Sequence, residues 1–344
     1  MKEQTGKRYV LVRGGGTIGS VEVNGTRVAG EGRVSFEGHY QGGQPDTEAV
    51  AYTGLSENNC ESVLGAFADT VAGMLDNGLG IVVTHGTDSM EITARHLDSV
   101  LGDKLQRLGI PVVLTGANRP ITDPETDAWR NLHLAQETAM RLGQGGVYVA
   151  FHGKIIPAET IVKEPYIPGI STEMHYISTD DPGYEDLLRR HEAWREEMRE
   201  QILEEFRLTD VDGGKNNQIQ IYRANLIPEE QVDIDEETLE DARAIVVVLY
   251  HSSTAYTAEQ KMSVANKIAD WTMRGIPVFG VTENGEPVQI GLYETAKALD
   301  DAGLIASSLA DLDTAVFRLM AILTSNPNVI KSEIIRLMTH ENKE

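Results

Sequence analysis

Apolar and polar positions follow two periods along the chain. Short apolar runs of strand length stand at 9–12, 81–84, 111–114 and 146–150. Between them lie amphipathic stretches of helical spacing at about 61–76, 89–101 and 126–142. Apolar runs without polar alternation, separated by helices, predict crossover connections and a parallel sheet covered on both faces. The pattern breaks at 180–217, which is rich in charge and turn residues. Within it, 185–206 has helical spacing with a stripe of Leu187, Leu188, Trp194, Met198, Ile202 and Phe206, and Asp212-Gly213-Gly214-Lys215-Asn216-Asn217 ends it. This stretch reads as a solvated helix packed on its stripe, with a lid or a subunit contact as the sharper alternative. Alternation then resumes, with strands expected at 219–222, 244–249 and 277–281 and helices near 258–274, 292–302, 312–323 and 329–338. The expected fold is α/β in two domains. A larger N-terminal domain (1–180) has a mostly parallel sheet flanked by helices. A charged helical connection (181–217) leads to a smaller C-terminal α/β domain (218–344).

Charge narrows the choice of partners. The 344 residues include 53 acids and 30 Lys and Arg, a net charge of −23. That excess disfavours nucleic acid and anionic membrane, both polyanions, and favours solubility, with or without adaptation to salt. Cys60 is the single cysteine, so no intrachain disulfide forms and no zinc-site spacing exists. Residues 1–8 place no apolar run behind their charges, so neither a signal peptide nor a membrane span is read, and the cytoplasm is the expected location.

The first loop is ambiguous by itself. After 9–12 comes Arg13-Gly14-Gly15-Gly16-Thr17-Ile18-Gly19-Ser20. Gly14, Gly16 and Gly19 have the spacing of a dinucleotide-binding turn, which must open into a helix whose N-terminal amides hold the pyrophosphate. The following residues, 20–32, have no helical stripe, and Asn24-Gly25 is a tight-turn signal, so a hairpin or mobile loop is expected instead. What remains is the hydroxyl of Thr17 on a glycine-rich turn at the carboxyl end of a strand, where open α/β sheets bind ligands. A threonine that only satisfies its own turn is an equal reading of the loop alone.

A second loop changes the balance. His85-Gly86-Thr87-Asp88-Ser89-Met90-Glu91 follows the strand at 81–84. Asp88 with Glu91 three residues on has the spacing of a helix capping box. The same place is again the carboxyl edge of the sheet. A threonine hydroxyl is a poor nucleophile unless a base lies within reach and a further group holds that base. Thr87, Asp88 and a lysine are residue types able to form such a relay, while Asp88 as a plain helix cap is the other reading.

Residues 15–19 (GGTIG) and 85–94 (HGTDSMEITA) resemble the two signature motifs of the bacterial-type L-asparaginase family. Residues 111–120 (PVVLTGANRP), Asp127 and Asn131 support the resemblance, which covers about the first 165 residues closely. It implies an N-terminal α/β domain carrying most of the site and a smaller C-terminal α/β domain. It implies hydrolysis of the side-chain amide of L-asparagine, with no metal and no organic cofactor. By resemblance Thr17 is the acylated nucleophile, Thr87 and Asp88 are the second-motif pair, and Lys163 completes the relay. Gly16, Ser56, Glu57, Gly86 and Ala117 are the expected substrate-binding positions, with Ser56 and Glu57 placed for the substrate's α-amino and α-carboxylate groups. Amides around Gly16 and Thr87 are candidates for the oxyanion. A homo-oligomer, dimer or tetramer, is expected, because the family completes its sites across subunits.

Three departures stand out. The family's lid tyrosine falls in a window that here reads Arg27-Val28-Ala29-Gly30, which leaves Thr26 and Tyr40 as lid candidates. A glycine- and asparagine-rich turn of many relatives is replaced by Tyr250-His251-Ser252-Ser253-Thr254, where His251 is either a substitute contact or an ordinary loop residue. The charged helix 185–206 is longer than the usual connection. Rival readings are hydrolysis of another amide (L-glutamine or D-asparagine), the amidase subunit of a transamidation complex, and a ligand-binding homologue without turnover. The second is disfavoured by a first strand that starts at about residue 8. The third rests on the lid tyrosine alone. Loss of either threonine hydroxyl is expected to cut the rate by orders of magnitude and, for a surface hydroxyl, to cost less than about 0.5 kcal/mol of stability.

Overall fold

The computed structural model describes residues 8–30 and 44–339. It divides into two compact units: Met1–Glu164 with His175–Tyr184, and Pro165–Met174 with Glu185–Glu344. Among the described residues no helix is long and apolar enough to cross a membrane.

The first unit is built on β1 (Val10–Arg13), β4 (Thr47–Val50), β5 (Ile81–Thr84), β6 (Pro111–Thr115), β7 (Gly146–Phe151) and β8 (Lys154–Pro157). They form one sheet in the order β4-β1-β5-β6-β7-β8, parallel except for the antiparallel β7–β8 hairpin. The crossovers are α1 (Glu61–Met74), α2 (Met90–Leu108) and α3 (Ala128–Arg141). Leu11, Val82, Val113 and Ala150 pack with Ala128, Leu132, Ala135 and Ala139 of α3. The alternate positions Val10, Val12, Val83, Val112 and Leu114 are equally buried, and α1 and α2 contact the same strands. Burial on both faces is why these strands read as unbroken apolar runs. Helix α2 runs past the expected end at 101, because Leu97, Leu101 and Leu105 continue one buried face until Gly109 caps it at φ 67°.

The expected hairpin after the first loop forms from β2 (Val21–Val23) and β3 (Thr26–Val28), antiparallel. Asn24 and Gly25 turn it with φ of 53° and 79°, the positive pair that a two-residue hairpin of right-handed twist requires. A small antiparallel pair, β9 (Ile161–Lys163) and β10 (Tyr176–Ser178), sets Lys163 opposite Tyr176.

The second unit carries a four-stranded parallel sheet, β11 (Ile219–Arg223), β12 (Ala244–Leu249), β13 (Val278–Thr282) and β14 (Leu304–Ala306), in sequence order. Val247, Leu249 and Val278 pack with α5 (Glu236–Asp241), α6 (Val264–Met273) and α7 (Glu294–Asp301). Val246, Val248 and Phe279 pack with α8 (Leu312–Ser325) and α9 (Lys331–Thr339). Helix α6 begins six residues later than its apolar pattern predicts, at Val264 rather than 258. The Val264 amide donates to the Tyr256 carbonyl at 3.0 Å, so the intervening residues loop out and return.

The charged helix α4 (Tyr184–Phe206) does not stand apart as a connection. From Glu185 on it belongs to the second unit, and its inward face is partly ionic. Ile202 is buried as expected, but His191 is buried too, and Leu188 remains 38% exposed. Arg195 donates to Asp311 at 2.7 and 3.1 Å, and Arg318, 2% exposed, pairs with Glu205 at 2.8 Å. An apolar stripe alone therefore misplaces this helix by treating its charges as solvated.

Candidate active site

Three loops of the first unit meet at the carboxyl edge of its sheet. They are 14–20 after β1, 54–58 between β4 and α1, and 85–89 after β5. The Gly14 amide donates to the Thr84 carbonyl at 2.8 Å and the Gly16 amide to the Gly54 carbonyl at 2.9 Å. Gly16 has φ 87°, and a Cβ there would stand 2.0 Å from the Gly86 Cα. A Cβ on Gly86 would stand 2.3 Å from the Ser56 Oγ. The glycines are thus points where one backbone presses on another. Gly19, the third glycine of the dinucleotide spacing, has open space around its Cβ position, and strand β2 follows it instead of a helix. The phosphate-cradling reading of this loop falls on both counts.

Thr17 opens a short 3-10 turn, Thr17–Gly19, and is 4% exposed; Thr87 and Asp88 are similarly buried at 2% and 3%. Ser56 and Glu57 are buried on the turn Ser56–Asn58. Ala117 is fully buried in the loop after β6. The sheet edge thus brings together the loops of Gly16, Thr17, Ser56, Glu57, Gly86, Thr87 and Asp88. Thr26 sits half-buried at the start of β3, and Arg27 beside it donates to the Asn118 carbonyl at 3.3 Å, tying the hairpin to the Ala117 loop. Tyr40, the other lid candidate, lies outside the described residues. His251 lies in the second unit just after β12, where its amide donates to Glu283 at 3.1 Å and its Nε2 is 3.1 Å from the Ser252 Oγ.

Behind the two threonine loops is a buried polar network that sequence patterning does not reveal. The His85 Nδ1 donates to the Gly86 carbonyl at 2.8 Å, and its Nε2 accepts from the Thr93 hydroxyl at 2.9 Å. The Asn59 amide donates to Ser89 at 3.0 Å, and the Ser89 hydroxyl donates to the Ser56 carbonyl at 2.7 Å. These bonds lock the second loop to the Ser56 turn. Burial pushes the His85 imidazole down to about 4, against the lesser effect of its Gly86 contact, so His85 is a neutral brace at physiological pH.

Stability should report this directly. Folded His85 takes up a proton only near pH 4, whereas the unfolded chain does so near 6.5. Between those values the unfolded state binds more protons, so stability falls as pH falls, by roughly 3 kcal/mol for this one group. Urea unfolding of the wild type and His85→Asn from pH 7 to 4 should show a shallower slope in the variant. Parallel slopes would contradict the assignment.

The second loop is held from the other side by β9 and β10. The Lys163 Nζ donates to the Asp88 carbonyl at 2.5 Å and pairs with the Glu91 Oε1 at 2.9 Å. The Tyr176 hydroxyl donates to the Thr87 carbonyl at 2.6 Å and lies 3.2 Å from the Glu91 Oε2. The capping-box reading of Asp88 and Glu91 is corrected here. The N-cap of α2 is Ser89, it makes no side-chain cap bond, and Glu91 faces Lys163 and Tyr176 instead. Glu91 is visible in the motif, but its spacing suggests the wrong task. Tyr176 has no signal in the sequence, since only the β9–β10 register brings it opposite Lys163.

Asp127 organises the Ala117 loop. Its carboxylate accepts the Asn118 and Arg119 amides at 3.0 and 3.2 Å and the Asn131 side chain at 2.9 Å. Burial pushes this carboxyl up. Hydrogen bonds from His152, at 3.3 Å, and from the Asn118 and Arg119 amides more than offset it, holding Asp127 below the usual carboxylate range.

Residues 8–165 match the family model described as "Asparaginase, N-terminal". An L-asparaginase of Thermococcus kodakarensis is 46% identical over 84 residues, 24% of each chain. A glutamyl-tRNA(Gln) amidotransferase polypeptide of Saccharolobus solfataricus is 26% identical over 293 residues, 82% of this chain and 62% of that one. The chain thus spans from about a quarter to about three fifths of the length of these relatives. Among solved structures, the thermostable L-asparaginase from Thermococcus kodakarensis aligns over 97% of both chains, at 20% identity and a TM-score of 0.38. The segment that carries both threonine loops and the lysine opposite them is the segment the family model matches, and over those residues the chain is similar to the asparaginase family.

Proposed function

We propose that the protein hydrolyses the side-chain amide of L-asparagine to L-aspartate and ammonia through an ester on Thr17. The observation that carries this reading is the contact of two threonine-bearing loops at one sheet edge, Gly16 against Gly86, with Lys163 anchored on the second loop. The Thr17 oxygen attacks the amide carbon, and the oxyanion is met by backbone amides near Gly16 and Thr87. Nitrogen leaves as ammonia, with the hydroxyl's proton delivered to it. Water, oriented by Thr87, then adds to the Thr17 ester and releases the acid. Ser56 and Glu57 hold the amino-acid end of the substrate, with Gly16, Gly86 and Ala117 shaping the floor. Release of ammonia from L-asparagine by the purified protein, with L-glutamine and D-asparagine alongside, tests this. Turnover of another amide in place of L-asparagine would keep the mechanism and change the substrate.

A second reading is favoured by the glutamyl-tRNA(Gln) amidotransferase relatives, which align with most of this chain. In it the same chemistry feeds ammonia to a partner enzyme. Amide turnover that rises severalfold when a partner is added would support it. For the free-standing enzyme we expect a cytoplasmic homo-oligomer, dimer or tetramer. Light scattering at micromolar concentration should give a mass at least twice that of the chain, and a monomer would contradict this.

A further inference from the structure

The geometry points to Glu91 as a positioning residue that keeps Lys163 a fixed cation, so that Lys163 serves amide hydrolysis as a charge and not as a base. This rests on the amidohydrolase reading of the same site. The Lys163 side chain is 6% exposed and that of Glu91 10%. The lysine nitrogen donates to the Asp88 carbonyl at 2.5 Å and to the Glu91 carboxylate at 2.9 Å. An ammonium has three hydrogens to donate and nothing to accept with, which suits a nitrogen surrounded by acceptors such as these. A neutral amine would turn a lone pair into this pocket and leave the buried carboxylate without its counter-charge, the costlier arrangement.

The carboxylate is fixed at its other end as well. Tyr176 has a single hydroxyl hydrogen, and the 2.6 Å contact to the Thr87 carbonyl takes most of it. The 3.2 Å approach to Glu91 is the weaker share. Because Lys163 and Tyr176 are register partners on β9 and β10, one two-stranded element presents both groups to the first turn of α2. Glu91 is therefore where that element is keyed to the Thr87 loop.

The consequence is a routing of protons. The hydrogen of an attacking hydroxyl cannot pass to an ammonium that already holds three. It reaches the leaving nitrogen by way of an acceptor other than Lys163, and Lys163 ends the cycle with the protons it began with.

The test has two readouts. In protein labelled with 13C at lysine Cε, Lys163 is assigned by its absence in Lys163→Arg and titrated in the wild type and in Glu91→Gln. Lys163 should lose its proton at least about one pH unit lower in Glu91→Gln, since an opposite charge at this range favours the charged form by that much or more. In parallel, the alkaline limb of kcat/KM for ammonia release should move down by about the same interval, a tenfold loss on that limb. Glu91→Asp, which keeps the charge, should restore part of the shift and serves as the second variant if the first folds poorly. An unchanged Lys163 titration would overturn the inference. So would a Glu91→Gln enzyme that becomes faster at neutral pH, the behaviour of a lysine base released from its partner. Wild-type protein that hydrolyses no amide would instead sink the functional reading, while the titration still decides the state of Lys163.

Discussion

Thr17→Ala is expected to lower amide hydrolysis by three or more orders of magnitude, because removing a nucleophile leaves only binding and oxyanion stabilisation to act on the substrate. The variant should still fold. Its cost in stability is larger than for a surface hydroxyl, since Thr17 is only 4% exposed, and about 1–2 kcal/mol is expected. Thr87→Ala, at 2% exposure, should behave alike in stability and fall by a comparable factor in rate. Thr17→Ser separates chemistry from packing, since it keeps the hydroxyl and removes only a methyl group. It should recover a substantial part of the activity that Thr17→Ala loses. A Thr17→Ala enzyme with near-normal turnover and an unaltered melting curve would show that the nucleophile lies elsewhere.

Gly16→Ala is the second large effect, and it acts through the backbone. The position has φ 87° and ψ −174°, which alanine adopts only under strain. Its new methyl group would meet the Gly86 Cα at 2.0 Å and the Gly86 nitrogen at 2.2 Å. Backbone atoms do not swing aside as a side-chain tip does, so the loop after β1 must move off the loop after β5. Strain and overpacking together should cost about 3 kcal/mol or more. Moving the two threonine loops apart by about an ångström should cost about a hundredfold in kcat. Gly19→Ala is the control, because nothing lies within 4 Å of its added methyl. Thermal melts and initial rates of the two variants side by side should differ sharply. Equal behaviour would mean that the loops do not meet as described.

Much of this site is legible in the sequence because its chemistry is compressed into two short segments. Thr17, Thr87 and Asp88 each stand just after a strand whose burial on both faces makes it readable as a continuous apolar run. Lys163 is reached only through family resemblance, since a three-residue strand leaves no periodic trace. Strand β4 escapes detection for a physical reason. It lies at the sheet edge with Thr47 and Ala49 half-buried and Glu48 and Val50 exposed, and so has no apolar run to see. Glu91 is misread because a carboxylate three residues after Asp88 fits a helix cap by spacing, while its real partners come from residues 163 and 176. The excursion of Pro165–Met174 into the second unit leaves no mark in composition at all. Likewise the burial of His191 and Arg318 depends on Asp311 and Glu205, residues more than 100 positions away along the chain.

The central claim is that this protein is an amidohydrolase whose reaction starts at Thr17. Ammonia release from L-asparagine, measured at low and at molar salt to allow for a net charge of −23, tests it most directly. The prediction is steady release by the wild type that is lost in Thr17→Ala. No release by the folded wild type from L-asparagine, L-glutamine or D-asparagine at either salt would contradict it.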